Sequence, residues 1–272
     1  MKTAIFYEHI DEGAKQRGIS LTEASKAMKS FGIDSVDISF DVYNDEIKSV
    51  LKAAGLGVAC MHNNFDFTKS SDLSSAELKK AFKMVDIAAE LGLKNILIVP
   101  GFIRENEDYN TVRENIVENL NILCGYAGEK DIDIMLEDYD ADFAPYHTLN
   151  ELVWFLERVK PLKIAFDSGN FKYSGEDELA ALDKLIDKVE YLHCKDRSNI
   201  ENCSNPQMNI FGEKMYPCAV GSGYIQIEKV IERLFDNGYG GDIVIEHFGA
   251  CDQLGFAEKS AEYLNDIIDA KR

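Results

Sequence analysis

Short apolar segments typical of buried β-strands alternate strictly with amphipathic segments typical of α-helices along this chain of 272 residues. The predicted strands are 3–7, 36–40, 57–61, 95–99, 131–138, 163–167, 189–195 and 242–247. The predicted helices are 21–30, 45–54, 75–91, 111–127, 149–159, 177–186, 225–235 and 257–270. Strict alternation implies parallel strands joined by right-handed helical crossovers. Because eight pairs in about 250 residues match the size of a closed barrel, the pattern predicts an α/β fold, a (β/α)8 TIM barrel.

An open, doubly wound sheet is the alternative fold for the same alternation. Such a sheet ordinarily carries a glycine-rich phosphate turn after its first strand, and residues 7–10 (YEHI) contain no glycine. The motif Gly221-Ser222-Gly223 occurs too late in the chain to begin such a unit. Since no linker or low-complexity run interrupts the alternation, we expect a single domain over residues 1–272.

The charge balance argues against a polyanionic partner. Asp and Glu number 48 against 29 Lys and Arg, a formal charge of −19, whereas nucleic-acid affinity depends on basic side chains that neutralise phosphates. Residues 1–20 lack the apolar core of a signal peptide, and no apolar run reaches the length of a membrane span. Six cysteines without a CxxC pair are typical of free thiols in a reducing compartment. We therefore expect a cytoplasmic protein with no nucleic-acid and no membrane partner.

Four neighbouring strands are predicted to end in a side chain that can bind a metal. These side chains are Glu137, Asp167, His193 and Glu246. Because side chains alternate between the two faces of a strand, each of the four shares a face with the residue two positions earlier. The large apolar residues directly before the four, Leu136, Phe166, Leu192 and Ile245, then face the covering helices. The carboxyl ends of all strands open on one face of a barrel, so we predict that the four side chains converge.

Three carboxylates and one imidazole form an oxygen-rich set of ligands. Such a set favours Mn²⁺, with Mg²⁺, Co²⁺ or Zn²⁺ as alternatives. A lone acid at a strand end is ordinarily a helix cap or a loop partner, but burying four such groups together without a cation would be costly. Cys194 points to the opposite face by alternation and is not counted as a ligand. We therefore predict one divalent metal ion.

The longest predicted connection covers residues 196–223. Connections of this length in a barrel are ordinarily functional or disordered, and Phe211, Met215, Tyr216 and Pro217 make this one too apolar for a disordered linker. We predict a lid over the active face, with a plain structural excursion as the alternative.

Five short motifs resemble those of the sugar phosphate isomerase/epimerase family, the xylose isomerase-like barrels. The motifs are LEDY (136–139), FDSGN (166–170), HCKDR (193–197), VGSGY (220–224) and IEH (245–247). The family includes ketose 3-epimerases, hydroxypyruvate isomerases and inosose dehydratases, and is related to endonuclease IV. The resemblance covers most of the chain and is strongest from Ile132 onward.

The resemblance implies roles for particular residues. The metal ligands of the family match Glu137, Asp167, His193 and Glu246, and the first and last of these also match its acid–base pair. A histidine at the end of strand three matches His62. Asn170 stands where ketose 3-epimerases have a substrate-binding histidine, and Asn199 stands where they have an arginine, with Arg197 two residues earlier. We count His62, Asn170, Lys195 and Arg197 as candidate substrate-binding residues; Asp196 and Arg197 pairing with each other is the alternative for the latter.

The implied reaction is proton transfer beside a carbonyl through an enediolate, which makes the chain a metal-dependent isomerase or epimerase of a small sugar or hydroxy-keto acid. The alternatives are a dehydratase of the inosose type, a phosphodiesterase like endonuclease IV, and a noncatalytic sugar-binding barrel. Endonuclease IV needs several further histidine ligands for a cluster of three zinc ions. This chain has five histidines in all and Asn170 where one of those ligands would stand, so it cannot complete that cluster. A homo-oligomer is compatible with this prediction.

Overall fold

Eight parallel strands close into a barrel in the computed structural model, which describes residues 1–70 and 73–271. The barrel strands are Thr3–Phe6 (β1), Ser35–Ser39 (β2), Gly57–Asn64 (β3), Asn95–Val99 (β4), Asp133–Leu136 (β5), Lys163–Asp167 (β6), Val189–Lys195 (β7) and Ile243–Glu246 (β11, numbered after the three short strands of an excursion). Each strand pairs with its neighbour in chain order, and β11 pairs with both β7 and β1. The predicted (β/α)8 barrel is confirmed.

Nine α-helices surround the barrel in the part of the chain that the structure describes. They are Tyr7–Arg17 (α1), Leu21–Ser30 (α2), Asp45–Ala54 (α3), Ala76–Glu90 (α4), Tyr109–Gly128 (α5), Leu149–Arg158 (α6), Glu178–Leu185 (α7), Ile227–Asp236 (α8) and Gln253–Ala270 (α9). Ser20 and Glu23 form the expected capping box at the start of α2. All eight predicted helices are present within a few residues of their predicted limits.

Helix α1 was not predicted, and the expectation of one helix per strand is wrong at this position. Its buried stripe contains His9 and Gly13 as well as Ile10 and Ala14. A search for apolar periodicity does not register a histidine or a glycine. Gly13 lets α1 approach α9 closely, because a Cβ atom there would lie 1.9 Å from Leu254 Cδ1. Tertiary packing therefore stabilises a helix whose apolar pattern is weak.

The alternation of side chains divides the strands into two apolar layers. Met135, Ala165, Tyr191 and Val244 belong to the cluster inside the barrel. Their chain neighbours belong to the cluster between the strands and the helices, namely Leu136, Phe166, Leu192 and Ile245. Cys194 also lies in this outer cluster, as predicted. Side chains with the same parity as Met135 therefore point to the barrel axis.

The connection after β7 folds into a small antiparallel sheet. Its strands are Arg197–Ser198 (β8), Gln207–Met208 (β9) and Lys214–Pro217 (β10), in the order β8-β10-β9. A disulfide joins Cys203 of this excursion to Cys251, which follows β11. The expectation of six free thiols is therefore wrong for this pair, while Cys60, Cys124, Cys194 and Cys218 are free and buried. The two bonded cysteines are 48 residues apart, and only the meeting of two loops at the rim brings them together.

Two strand limits differ from the prediction. Strand β3 continues to Asn64, so His62 lies inside it. Strand β5 ends at Leu136, so Glu137 is the first residue after the strand.

Among the described helices, none combines the length and the apolar character needed to cross a membrane.

Candidate metal centre

The four predicted ligand side chains meet at the carboxyl end of the barrel. Glu137 follows β5, Asp167 ends β6, Glu246 ends β11, and His193 lies two residues before the end of β7. These four strands are adjacent in the barrel. Glu137, Asp167, His193 and Glu246 each present one ligand atom, and these atoms all lie within 4.8 Å of one another. All four residues are buried. Adjacent parallel strands with the same inward parity produce this convergence.

Two cationic side chains contact the carboxylates. Nδ1 of His193 lies 2.5 Å from Oε1 of Glu137 and 3.5 Å from Oε2 of Glu246. Nζ of Lys195 lies 2.7 Å from Oε1 of Glu246 and 3.7 Å from Oδ2 of Asp167. Burial opposes the charged form of His193, but Glu137 and the hydrogen bonds with Asp37 and Glu137 together raise the pKa of His193 well above its ordinary value.

One carboxylate oxygen of Asp167 has no hydrogen-bond partner in the described part of the chain and could bind a cation. Its Oδ1 accepts hydrogen bonds from the backbone N–H groups of Gly169 and Asn170. Its Oδ2 is buried and has no hydrogen-bond partner among the described residues. Burial raises the pKa of Asp167 well above the ordinary range, and burial also raises the pKa of Glu137. A divalent cation at this point would stabilise the charged forms of both buried carboxylates, so the residues present fit a metal ion.

Asp37 of β2 contacts the imidazole of His193 and was not predicted as a site residue. Its Oδ2 lies 3.3 Å from Nε2 of His193, and its Oδ1 lies 2.6 Å from Nδ1 of His62. A carboxylate on one imidazole nitrogen orients the other nitrogen toward the ligand position. The signal was the alternation of Ser35, Asp37 and Ser39 on β2, which places three polar side chains on the inner face.

A cavity of about 710 Å³ opens above the four ligand side chains. Glu137 and Glu246 line it, whereas Asp167 and His193 are fully buried. The four candidate substrate-binding residues, His62, Asn170, Lys195 and Arg197, all line the same cavity. The structure therefore brings every predicted site residue to one place.

The excursion after β7 covers part of this cavity. Asn205, Pro206 and Gln207 belong to its wall. The backbone N–H of Asn205 donates to the carbonyl of Gly249, and the disulfide lies beside this contact. The excursion thus occupies the position predicted for a lid over the barrel mouth.

Asp140 joins the two basic residues of the wall and is a second residue missed in the sequence. Its Oδ2 lies 3.0 Å from Nζ of Lys195 and 2.8 Å from a guanidinium nitrogen of Arg197. Lys195 also donates to Oδ1 of Asn170, and Arg197 donates to Oε1 of Gln207. The Arg197 side chain therefore pairs with Asp140 rather than with Asp196. No periodicity marks Asp140, because it lies in a loop.

Comparison with known proteins places this geometry in a family. The family model described as xylose isomerase-like TIM barrel matches residues 25–267. An inosose dehydratase from Geobacillus thermodenitrificans is 26% identical over 218 residues, which cover 74% of this chain and 72% of that protein.

Two solved structures show the same fold. D-allulose 3-epimerase from Methylomonas sp., in complex with D-allulose, has a TM-score of 0.73 and 16% identity, covering 98% of this chain and 96% of that one. A xylose isomerase-like TIM barrel protein from Mycobacterium smegmatis, in complex with magnesium, has a TM-score of 0.70 and 18% identity, covering 92% of this chain and 88% of that one.

Proposed function

Because the chain belongs to the xylose isomerase-like TIM barrel family, we propose that it is a divalent-metal-dependent isomerase or epimerase of a small sugar or sugar-like hydroxy-ketone. One observation carries the proposal: Glu137 and Glu246 belong to the four-residue cluster and also line the cavity. The same two carboxylates therefore reach both an ion and a substrate. Asp167 and His193, fully buried, reach the ion alone.

Glu137, Asp167, His193 and Glu246 are the proposed ligands of one divalent ion. Their oxygen-rich set suits Mn²⁺, Mg²⁺ or Co²⁺, and we propose Mn²⁺ as the preferred ion. The magnesium complex of the similar protein from Mycobacterium smegmatis supports the proposal of a divalent ion. When bound, such an ion polarises a carbonyl and stabilises the negative charge of an enediolate.

Glu137 and Glu246 are the proposed acid–base pair. One carboxylate removes a proton from the carbon beside the carbonyl, and the other returns a proton. Return to the opposite face of the same carbon produces an epimer, and return to the adjacent carbon produces an aldose–ketose isomer. Nζ of Lys195 lies 2.7 Å from Oε1 of Glu246, so an ammonium group contacts one member of the proposed pair.

The rest of the wall is proposed to hold the substrate. His62, Asn170, Lys195 and Arg197 present hydrogen-bonding groups to the cavity. The complex of the Methylomonas relative with D-allulose supports a sugar-sized ligand. Gln207 of the excursion faces the same space and helps to exclude water from the reacting carbons.

A dehydratase is the second candidate, and the ammonium group of Lys195 favours it. The same base would form an enolate, and Lys195, 2.7 Å from Glu246, would give a proton to the hydroxyl group that leaves the neighbouring carbon. The similarity to an inosose dehydratase supports this alternative. Both candidates share the first step, removal of a carbon-bound proton.

Solvent deuterium incorporation tests that shared first step. Metal-loaded protein is incubated in D2O with ketoses, aldoses and inososes, and exchange at carbon is followed by NMR. Replacing Glu137 or Glu246 by Gln should lower exchange by about 10²-fold or more at matched metal occupancy, because the base is lost. Glu190→Gln is the matched control, since Glu190 lies on β7 and pairs with Lys163.

Exchange at the wild-type rate in both Gln variants would refute the two-glutamate mechanism. Water loss without an epimeric or isomeric product would select the dehydratase.

A further inference from the structure

We infer, on the basis of the proposed function, that the substrate carries no phosphate or other anionic group and is a neutral polyhydroxy ketone. The observation behind this inference is that the basic side chains of the cavity wall already have carboxylate partners. A phosphate ester carries close to two negative charges near pH 7 and needs unpaired donors to bind.

Lys195 and Arg197 are the two strongest basic groups of the wall, and one carboxylate holds both. Asp140 lies 3.0 Å from Lys195 and 2.8 Å from Arg197. Lys195 makes a second ion pair with Glu246, at 2.7 Å. Lys195, Arg197 and Glu246 are buried and the Asp140 side chain is 16% exposed, so water screens the pairs only weakly. An incoming phosphate would have to displace buried carboxylates.

His62 is the third basic group among the described residues that line the cavity. It lies 2.6 Å from Asp37 and 3.6 Å from Glu8. Glu8 also lines the cavity and so presents negative charge to a ligand beside His62. Lys80 lies farther out and pairs with Asp41 of the wall, at 2.6 Å. Each of these cations therefore has a carboxylate partner, and the guanidinium nitrogen of the wall that lacks a hydrogen-bond partner among the described residues, Nε of Arg197, is itself buried.

The place where barrels often bind phosphate is occupied by the chain itself. In many (β/α)8 enzymes the phosphate lies on backbone N–H groups of the loops after strands seven and eight. Here the carboxylate of Asp196 accepts hydrogen bonds from the N–H groups of Gly221, Gly223 and Ile225 and from that of Arg197. A Cβ atom at Gly223 would lie 2.2 Å from Oδ1 of Asp196, so there is no free volume.

The remaining polar groups of the wall suit hydroxyl groups. Ser39, Asn63, Asn64 and Gln207 supply neutral donors and acceptors, and Glu8 and Asp41 supply acceptors. A polyol can donate to the carboxylates and accept from the amides, whereas an anion would be repelled by Glu8, Asp41 and Asp140. The wall therefore selects a neutral ligand.

Matched pairs of ligands test the inference without requiring turnover. Binding of D-fructose and D-fructose 6-phosphate, and of D-ribulose and D-ribulose 5-phosphate, is measured by calorimetry on the Mg²⁺-loaded protein. We expect the phosphate to add no affinity in either pair. Tighter binding of a phosphorylated member, by about threefold or more, would overturn the inference.

Deuterium exchange on the same compounds separates the two proposals. Absence of exchange in all of them, together with absence of a phosphate-dependent gain in binding, would count against the proposed proton transfer and leave the neutral cavity supported. Exchange confined to the phosphorylated members would support proton transfer and overturn the neutral substrate.

A substitution that frees the two cations provides a positive control. Asp140→Asn removes the carboxylate that holds Lys195 and Arg197, so D-fructose 6-phosphate should bind at least about tenfold more tightly than to the wild type. Asp183→Asn is the matched control, because Asp183 pairs with Arg233 on exposed helices. If the Asp140→Asn variant folds, as its melting curve will report, and gains no affinity, the assignment of Asp140 as the neutralising group is wrong.

Discussion

Two sets of buried carboxyl groups on the inner face of the barrel are satisfied in different ways. At the ends of β5, β6 and β11, Asp167 has an oxygen without a partner, and burial raises the pKa of Asp167 and of Glu137. On β2, both oxygens of Asp37 face imidazole nitrogens. Burial opposes the ionisation of Asp37, but His62 and His193 hold its pKa below the ordinary value.

This difference separates Asp167, a proposed metal ligand, from Asp37, which orients a proposed ligand. An incompletely satisfied carboxyl group gains when a cation arrives, whereas Asp37 already has its donors and can only orient them. The two sets should therefore respond oppositely when they are changed in the metal-free protein. Asp167 is a source of repulsion there, and Asp37 is a source of attraction.

The largest effect on metal binding should come from Asp167→Asn or His193→Ala, which remove a proposed ligand. Affinity for Mn²⁺, measured by calorimetry, should fall by more than about 10²-fold, beyond the range usual for an outer-shell partner. In chelator, the Asp167→Asn variant should melt at or above the wild-type temperature, because a buried carboxyl group without a full set of partners is gone.

Asp133→Asn is the control for that change, since Asp133 begins β5 at the opposite end of the barrel. Wild-type affinity in the Asp167→Asn variant would remove Asp167 from the ligand set. A metal-free variant that is much less stable would show that the carboxyl group is satisfied after all.

A smaller effect is expected for Asp37→Asn. The variant keeps a side chain of the same shape but loses the charge that orients His193, so affinity for Mn²⁺ should fall by about 10- to 100-fold. Its metal-free form should be less stable than the wild type, because two imidazoles lose a charged acceptor. Ser39→Ala on the same strand is the control, because the Ser39 hydroxyl group donates to Oδ1 of Asn63 rather than to an imidazole. If the Asp37 and Asp167 substitutions changed the stability of the metal-free protein in the same direction, the distinction between the two residues would be wrong.

The smallest effect concerns the pH dependence of stability in a His62→Gln variant. Burial opposes the charge on His62, but Asp37 and Glu8 together raise its pKa to about 10. A pKa raised on folding contributes stability below the ordinary value of 6.5 and loses it as the pH rises toward 10. The free energy of unfolding, measured with urea, should be about 1–3 kcal/mol higher for the wild type than for the variant at pH 6. This difference should shrink by pH 10. A difference that grows with pH would contradict the Asp37–His62 pair.

Most of the barrel and the convergence of the four proposed ligands could be predicted, because both follow from short-range periodicity. Alternation along β6 and β7 placed Asp167 and His193 on the inner face, and the structure has them there beside Ala165 and Tyr191. Helix limits were predictable where caps are explicit, as at Ser20 of α2.

Residues that act through contacts between distant segments were not predicted. Asp37 and His193 are 156 positions apart, and Asp140 and Arg197 are 57 apart, so no local pattern links them. The bond between Cys203 and Cys251 is likewise a meeting of two loops. Helix α1 was not predicted because its buried face includes His9 and Gly13, which are not large apolar residues, and Gly13 packs against α9.

Local patterns in the sequence specify the order of the elements, the parity of each strand and the chemistry of the four inward side chains. These depend on 2-residue and 3.6-residue periods, which adjacent residues encode. Contacts between distant segments specify that Asp167 has an oxygen without a hydrogen-bond partner among the described residues, that Asp37 contacts His193, and that Asp140 pairs with Lys195 and Arg197. The reason is physical: burial and pairing are properties of atoms that meet in space, and closure of the barrel through β1 and β11 brings the inner face of β2 near that of β7.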